Sequence, residues 1–218
     1  MMRKYDQPPD KTSKMNVETN TFFLPIDLLN GIDNKIDSAS EKVFFSSPKT
    51  EYQKMREAWA ASVFCSALSR SHPGSKVGIL EEFPDFEIKI GSDTLKYEFT
   101  EVMKPNRKRS EEYRDKTEIL REYRPAKCSQ EGPDWIIEAV EKKIRKNYRP
   151  IPHLLVYANF EGRPDIVAIR AKCPNEFLST WILCGTDIIQ LFPSKYFGEE
   201  YMDWAPSGID SFHPRQTQ

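Results

Sequence analysis

"PDFEIKIGSDTLKYEFTEV", residues 84–102, alternates apolar and polar side chains on either side of a Gly-Ser-Asp turn, and its reading decides the fold. Phe86, Ile88 and Ile90 share one face of the first run, and Asp85, Glu87 and Lys89 the other. In the second run Leu95, Tyr97 and Phe99 stand opposite Lys96, Glu98 and Thr100. A period of two marks strands with one buried face, so the stretch predicts an antiparallel hairpin. Pairing the two runs lets Asp85 and Glu98 project from the same polar face. That face is either the solvated outside of an ordinary sheet or a pair of ligands for a metal ion.

Working outward, "PKTEYQKMREAWAASVFCSALS", residues 48–69, holds no Gly and no Pro after its first position. It predicts a helix with Met55, Trp59, Val63 and Ser66 on one stripe and Phe64 and Leu68 beside it. "SHPGS" then breaks the pattern. On the far side, "PDWIIEAVEKKIRKNY", residues 133–148, predicts a second helix whose stripe is Ile136 or Ile137, Val140 and Ile144. It leads into "HLLVYANF", residues 153–160, an apolar run suited to a strand buried on both faces. "DIVAIRA" reads as a further strand or short helix, "PNEFLSTW" as a short helix, and "WILCGTDIIQLFP" as one or two closing strands. The order helix, strand, strand, helix, strand predicts an α/β domain with a central mixed sheet flanked by helices. The domain is expected over 43–195, after an N-terminal arm over 1–42, partly disordered but with an apolar patch at 21–32 able to dock. A C-terminal tail follows over 196–218.

With 218 residues, 39% hydrophobic and 30% charged, the chain can bury one sizeable core and lacks the composition of a disordered protein. A net charge of -1 conceals an uneven distribution. Residues 104–149 carry 14 Lys or Arg against 9 Asp or Glu, whereas 150–218 carry 5 against 8, so a polyanion could meet a basic face on a nearly neutral protein. Cys65, Cys128, Cys173 and Cys184 show no short metal-ligand spacing, and His72, His153 and His213 are too scattered to complete a zinc site or a hydrolytic triad. No run of 18 apolar residues and no leader-like segment is present, which predicts a non-membrane, reduced, cytoplasmic protein.

A glutamate in the opening helix, "PD" at a strand start and a following strand with Glu-x-polar together resemble the PD-(D/E)xK nuclease superfamily over roughly residues 48–192. The resemblance implies a restriction-endonuclease-like core and metal-dependent hydrolysis of phosphodiester bonds in DNA. Hard divalent ions held by carboxylates neutralise phosphoryl charge and activate water, and Mg²⁺, with Mn²⁺ as a substitute, is the implied cofactor. Asp85 and Glu98 fall on the metal-ligand positions, joined by the backbone carbonyl of Phe99. Glu57 falls on the opening-helix glutamate, with Glu51 as the fallback. Thr100 stands where the superfamily has its lysine, so Lys96, Lys143 or Lys146 would have to bring an ammonium into that space. Lys104, Arg107, Lys108 and Arg109 follow the Glu98 strand and, with Lys142 and Lys146, could hold phosphates without reading sequence. The alternative is a non-catalytic nucleic-acid-binding or assembly module that keeps the nuclease fold. Homo-oligomerisation or a partner protein cannot be read from the sequence. The second "PD", at Pro164 and Asp165, has no following Glu strand and reads as a turn acid.

Overall fold

Gly91 adopts a φ of 59°, in the left-handed region where a Cβ is costly, and with Ser92 turns the chain between the paired residues Ile90 and Asp93. The hairpin therefore closes where the alternation places it. The computed structural model describes residues 18–39, 50–106, 132–160, 164–184 and 187–193. Within them run β1 (Phe22–Phe23), α1 (Pro25–Ala39), α2 (Thr50–Ser71), β2 (Lys76–Ile79), β3 (Phe86–Ile90), β4 (Asp93–Met103), α3 (Gly132–Ile144), β5 (His153–Asn159), α4 (Ile166–Lys172), β6 (Thr180–Cys184) and β7 (Asp187–Phe192).

The strands form one sheet in chain order, β1 through β7. All neighbours are antiparallel except β4–β5 and β5–β6, which are parallel. This is the expected α/β arrangement of a mixed sheet flanked by helices, and nothing in it ties the sheet specifically to a restriction-endonuclease-like core. The stretch Thr21–Ile32 does dock: β1 pairs with β2, and α1 packs on α2.

Strand parity sorts the apolar residues into two cores. Phe86, Ile88, Leu95 and Tyr97 meet Leu29 and Ile32 of α1 and Met55, Phe64 and Leu68 of α2. On the opposite face Val102, Leu154, Val156, Ala158 and Ile182 meet Ile136 and Val140 of α3 and Ile169 of α4. β5 supplies both sets, which is why its sequence is continuously apolar. α2 departs from the single stripe predicted for it. Ala58 and every residue from Ala60 to Cys65, with Ala67 and Leu68, are buried. Covered by α1 outside and the sheet inside, the helix has almost no solvent face, and its alanines allow that close approach.

"DIVAIRA" forms α4 rather than a strand. Asp165 is its N-cap, accepting a 3.0 Å hydrogen bond from the Ala168 N–H. This satisfies one backbone donor that a helix start leaves unpaired. Asp165→Ala is expected to lower stability by about 1 kcal/mol and Asp165→Ser by less, as read from the midpoint of urea unfolding.

Candidate functional site

The polar face of the hairpin is not a solvated surface throughout. Beyond Tyr97, β4 leaves β3 and pairs with β5, and α3 packs across this part of the sheet. Lys96, just before that point, is exposed, whereas Glu98, just after it, is only 4% exposed. A buried carboxylate requires partners. Glu98 Oε1 accepts from Lys143 Nζ, near the end of α3, and from the Tyr148 hydroxyl at 2.6 Å.

Asp85 immediately precedes β3 and stands beside the last paired residues, Phe86 and Tyr97. Its Oδ2 accepts the Phe99 N–H at 2.8 Å, and its backbone carbonyl accepts the Leu80 N–H. Glu57, also 4% exposed, comes from α2 on the other side of the sheet. Its carboxylate takes Gln53 Nε2 at 3.0 Å on one oxygen and Lys54 Nζ at 2.8 Å on the other, and the same ammonium lies 3.8 Å from Asp85. Glu57, Asp85 and Glu98 are thus brought from α2, the approach to β3, and β4 to one point at the sheet. Lys54 and Lys143 flank them.

The electrostatics single out Asp85. Burial first, then the nearby Glu57 and Glu98 carboxylates, push its pKa up to about 6, against the Phe99 N–H and the Lys143 ammonium, which favour the charged form. The Tyr148 hydroxyl is pushed well above its ordinary range by burial and by donating to Glu98, so it keeps its proton at physiological pH and serves as a hydrogen-bond donor to that carboxylate. Tyr148 also stacks on Phe83, with ring centroids 4.4 Å apart and planes 1° from parallel. This stacking holds one wall of the cluster next to Pro84 and Asp85.

Other predicted site residues lie apart. Thr100 is half-buried and neither hydrogen-bonds nor ion-pairs with the cluster. Phe99 enters through its N–H, which serves Asp85. Lys104 and Lys142 are exposed, and Lys146 is exposed with its ammonium 5.8 Å from the centre of the Tyr148 ring. Arg107, Lys108 and Arg109 lie outside the described residues, as does the Glu51 side chain. Lys54, Gln53 and Tyr148 were not singled out as parts of a site by sequence. Helical spacing of three and four residues from Glu57 was the available signal for the first two.

The reading of a metal-dependent nuclease is corrected by the donor set. Among the described residues no group of three or more His, Cys, Asp and Glu side chains is arranged to hold a metal ion. The carboxylate oxygens face lysine ammoniums, an N–H and a hydroxyl, the reverse of three oxygens converging on a cation. The implied magnesium site is not one these residues fit. The nuclease assignment and its metal-binding attribute are withdrawn with it, and nothing among the described residues supports the DNA-binding attribute or the non-catalytic nucleic-acid module. Among the described residues no helix is long and apolar enough to cross a membrane.

No family model matches the chain, and no curated protein does. A solved structure from Pseudomonas aeruginosa strain PAO1, described as a protein of unknown function of the monooxygenase superfamily, is similar at 15% identity. The match covers 83% of this chain and 96% of that one, with a TM-score of 0.46. A likeness of this size transfers no activity.

Proposed function

We propose that the cluster is an acid–base catalytic centre for hydrolysis of a small acyl compound, an ester, thioester or amide, with Asp85 as the group that takes and returns the proton. The observation that carries this reading is the convergence of three carboxylates with two ammoniums, which leaves Asp85 the weakly paired member, in loose contact with Lys54. A carboxyl with a pKa near 6 is mostly ionised at pH 7 yet basic enough to draw a proton from water. Lys143, fixed on Glu98 through one N–H, stands near with two further N–H groups for negative charge developing on a carbonyl oxygen, while Tyr148 commits its single O–H to holding Glu98 in place. The Phe99 N–H orients Asp85, and Lys54, held by Glu57, limits where that carboxylate can swing. A structural ion-pair network produces similar shifts, so the test must read chemistry.

The full chain should be assayed on chromogenic ester, thioester and anilide substrates between pH 4.5 and 8.5. Turnover is expected to rise through a half-point near pH 6 as Asp85 ionises. Asp85→Asn should lower it by about 10²–10⁴-fold, the range general-base catalysis supplies. Lack of turnover on every substrate, or an Asp85→Asn variant as active as wild type, would overturn the proposal.

A further inference from the structure

Six large apolar side chains are conspicuously exposed among the described residues, and three of them, Phe83 at 41%, Ile151 at 40% and Leu178 at 55%, line the same cavity. Its volume is about 420 Å³, within the range of small-molecule sites. Pro84, Pro150 and Pro152 extend the apolar wall, and Lys96 and Arg149 are the charged residues that line it. Scattered exposed hydrophobics need no explanation, but their convergence on one concavity does.

The elements that build this cavity are stiff. Lys96, Leu95 and Thr94 come from β4, paired with β3 through Asp93–Tyr97. Phe83 is stacked on Tyr148, and the Leu178 N–H donates to the Pro152 carbonyl, joining two walls. His153, buried behind them, is tied through Nδ1 to Ser179 Oγ at 2.7 Å and stacks on Tyr97 at 4.9 Å. Such a frame loses little freedom when a ligand enters.

We infer that this cavity binds a small amphipathic anion, a monocarboxylate with an aromatic or short aliphatic body. The body would lie against Phe83, Ile151 and Leu178, displacing water from apolar surface that is left exposed among the described residues. The carboxylate would meet the Arg149 guanidinium, whose planar fork suits a two-oxygen anion; one of its N–H groups donates to the Tyr148 carbonyl, which steadies the side chain. Lys96 adds a second cation, partly offset by Glu87 directly across the hairpin. A neutral ligand would leave these charges unanswered, and a cationic one would be repelled. The site stands on the cavity and its charges, independently of any proton transfer at Asp85.

The probe is 4-phenylbutyrate, with 4-phenylbutyramide and 4-phenylbutylamine as neutral and cationic controls, titrated into the full chain by calorimetry at low salt. The acid should bind at least about tenfold more tightly than the amide, and the amine should not bind detectably. Arg149→Gln should remove most of the difference between acid and amide, Lys96→Gln a smaller part, and Leu178→Gln should weaken acid and amide alike. All three side chains are exposed, so folding is not at risk, and far-ultraviolet circular dichroism checks it. Equal binding of acid and amide, affinity indifferent to both Arg149→Gln and Leu178→Gln, or no binding of the acid up to about 10 mM would overturn the inference.

Discussion

Glu98→Gln should destabilise the protein by roughly 2–4 kcal/mol, even though glutamine matches glutamate in size and shape. The substitution leaves the ammonium of Lys143, a side chain only 15% exposed, facing a neutral amide with its counter-charge gone. Removing one partner of a buried pair costs more than the pair is worth, because the survivor remains desolvated and uncompensated. Relief of repulsion on Asp85 offsets part of that cost. Read from the hairpin alone, the change looks neutral or mildly stabilising, since it removes one of several like charges; the ammonium from α3 reverses the sign. The check is a double-mutant cycle in urea at pH 7, with Lys143→Met. The double variant should be more stable than Glu98→Gln alone, with a coupling of at least about 1 kcal/mol. Additive losses would mean that Lys143 and Glu98 do not act as a pair.

Asp85→Asn should do the opposite, raising stability by about 1–3 kcal/mol at pH 8. The folded-state pKa of about 6 lies above the ordinary carboxyl value of 3.8, so the folded protein holds this proton more tightly than the unfolded chain does. Between those two values the native state binds the extra proton, and stability falls as pH rises through the window. Above pH 6 the wild type must keep a charged carboxylate in a place that favours the neutral form; below about pH 4 both states are protonated and the penalty is gone. Asparagine is neutral throughout, and its carbonyl oxygen can still accept the Phe99 N–H. The variant's advantage should therefore be largest at pH 8, shrink through pH 6 and 5, and vanish near pH 4. Unfolding midpoints of both proteins across that range decide it; an advantage independent of pH would remove the charge explanation.

These opposite outcomes show where the sequence stops. Alternation in residues 84–102 is local, because strand side chains change face at every residue, and it placed the hairpin, its turn and the shared side of Asp85 and Glu98 in advance. Helical periodicity likewise located α2 and α3, and the apolar density of "HLLVYANF" located a strand covered on both faces. Asp165 was legible as a turn acid from composition, although its capping role needed the helix that follows. The direction of Lys143 was open, since a residue near a helix end may face solvent or sheet according to how the helix is docked. Lys143 was one of three candidates to bring an ammonium near Glu98, and docking of α3 decided it. The partners of Tyr148, which ends the same run, depend equally on docking: its ring packs on Phe83 and its hydroxyl serves Glu98.

The sequence by itself determined the class of fold and which carboxylates approach one another, because hydrophobic period and turn chemistry act over a few residues. What surrounds those carboxylates was decided only by the tertiary structure. Lys54 and Glu57 arrive from one side of the sheet and Lys143 and Tyr148 from the other, at separations of 45 and 50 residues from Glu98 for the latter pair. Charge acts through space and burial rather than along the chain. Two acids that look alike in one strand pattern therefore become different groups, Glu98 clamped by an ammonium and a hydroxyl, and Asp85 left with a raised affinity for a proton.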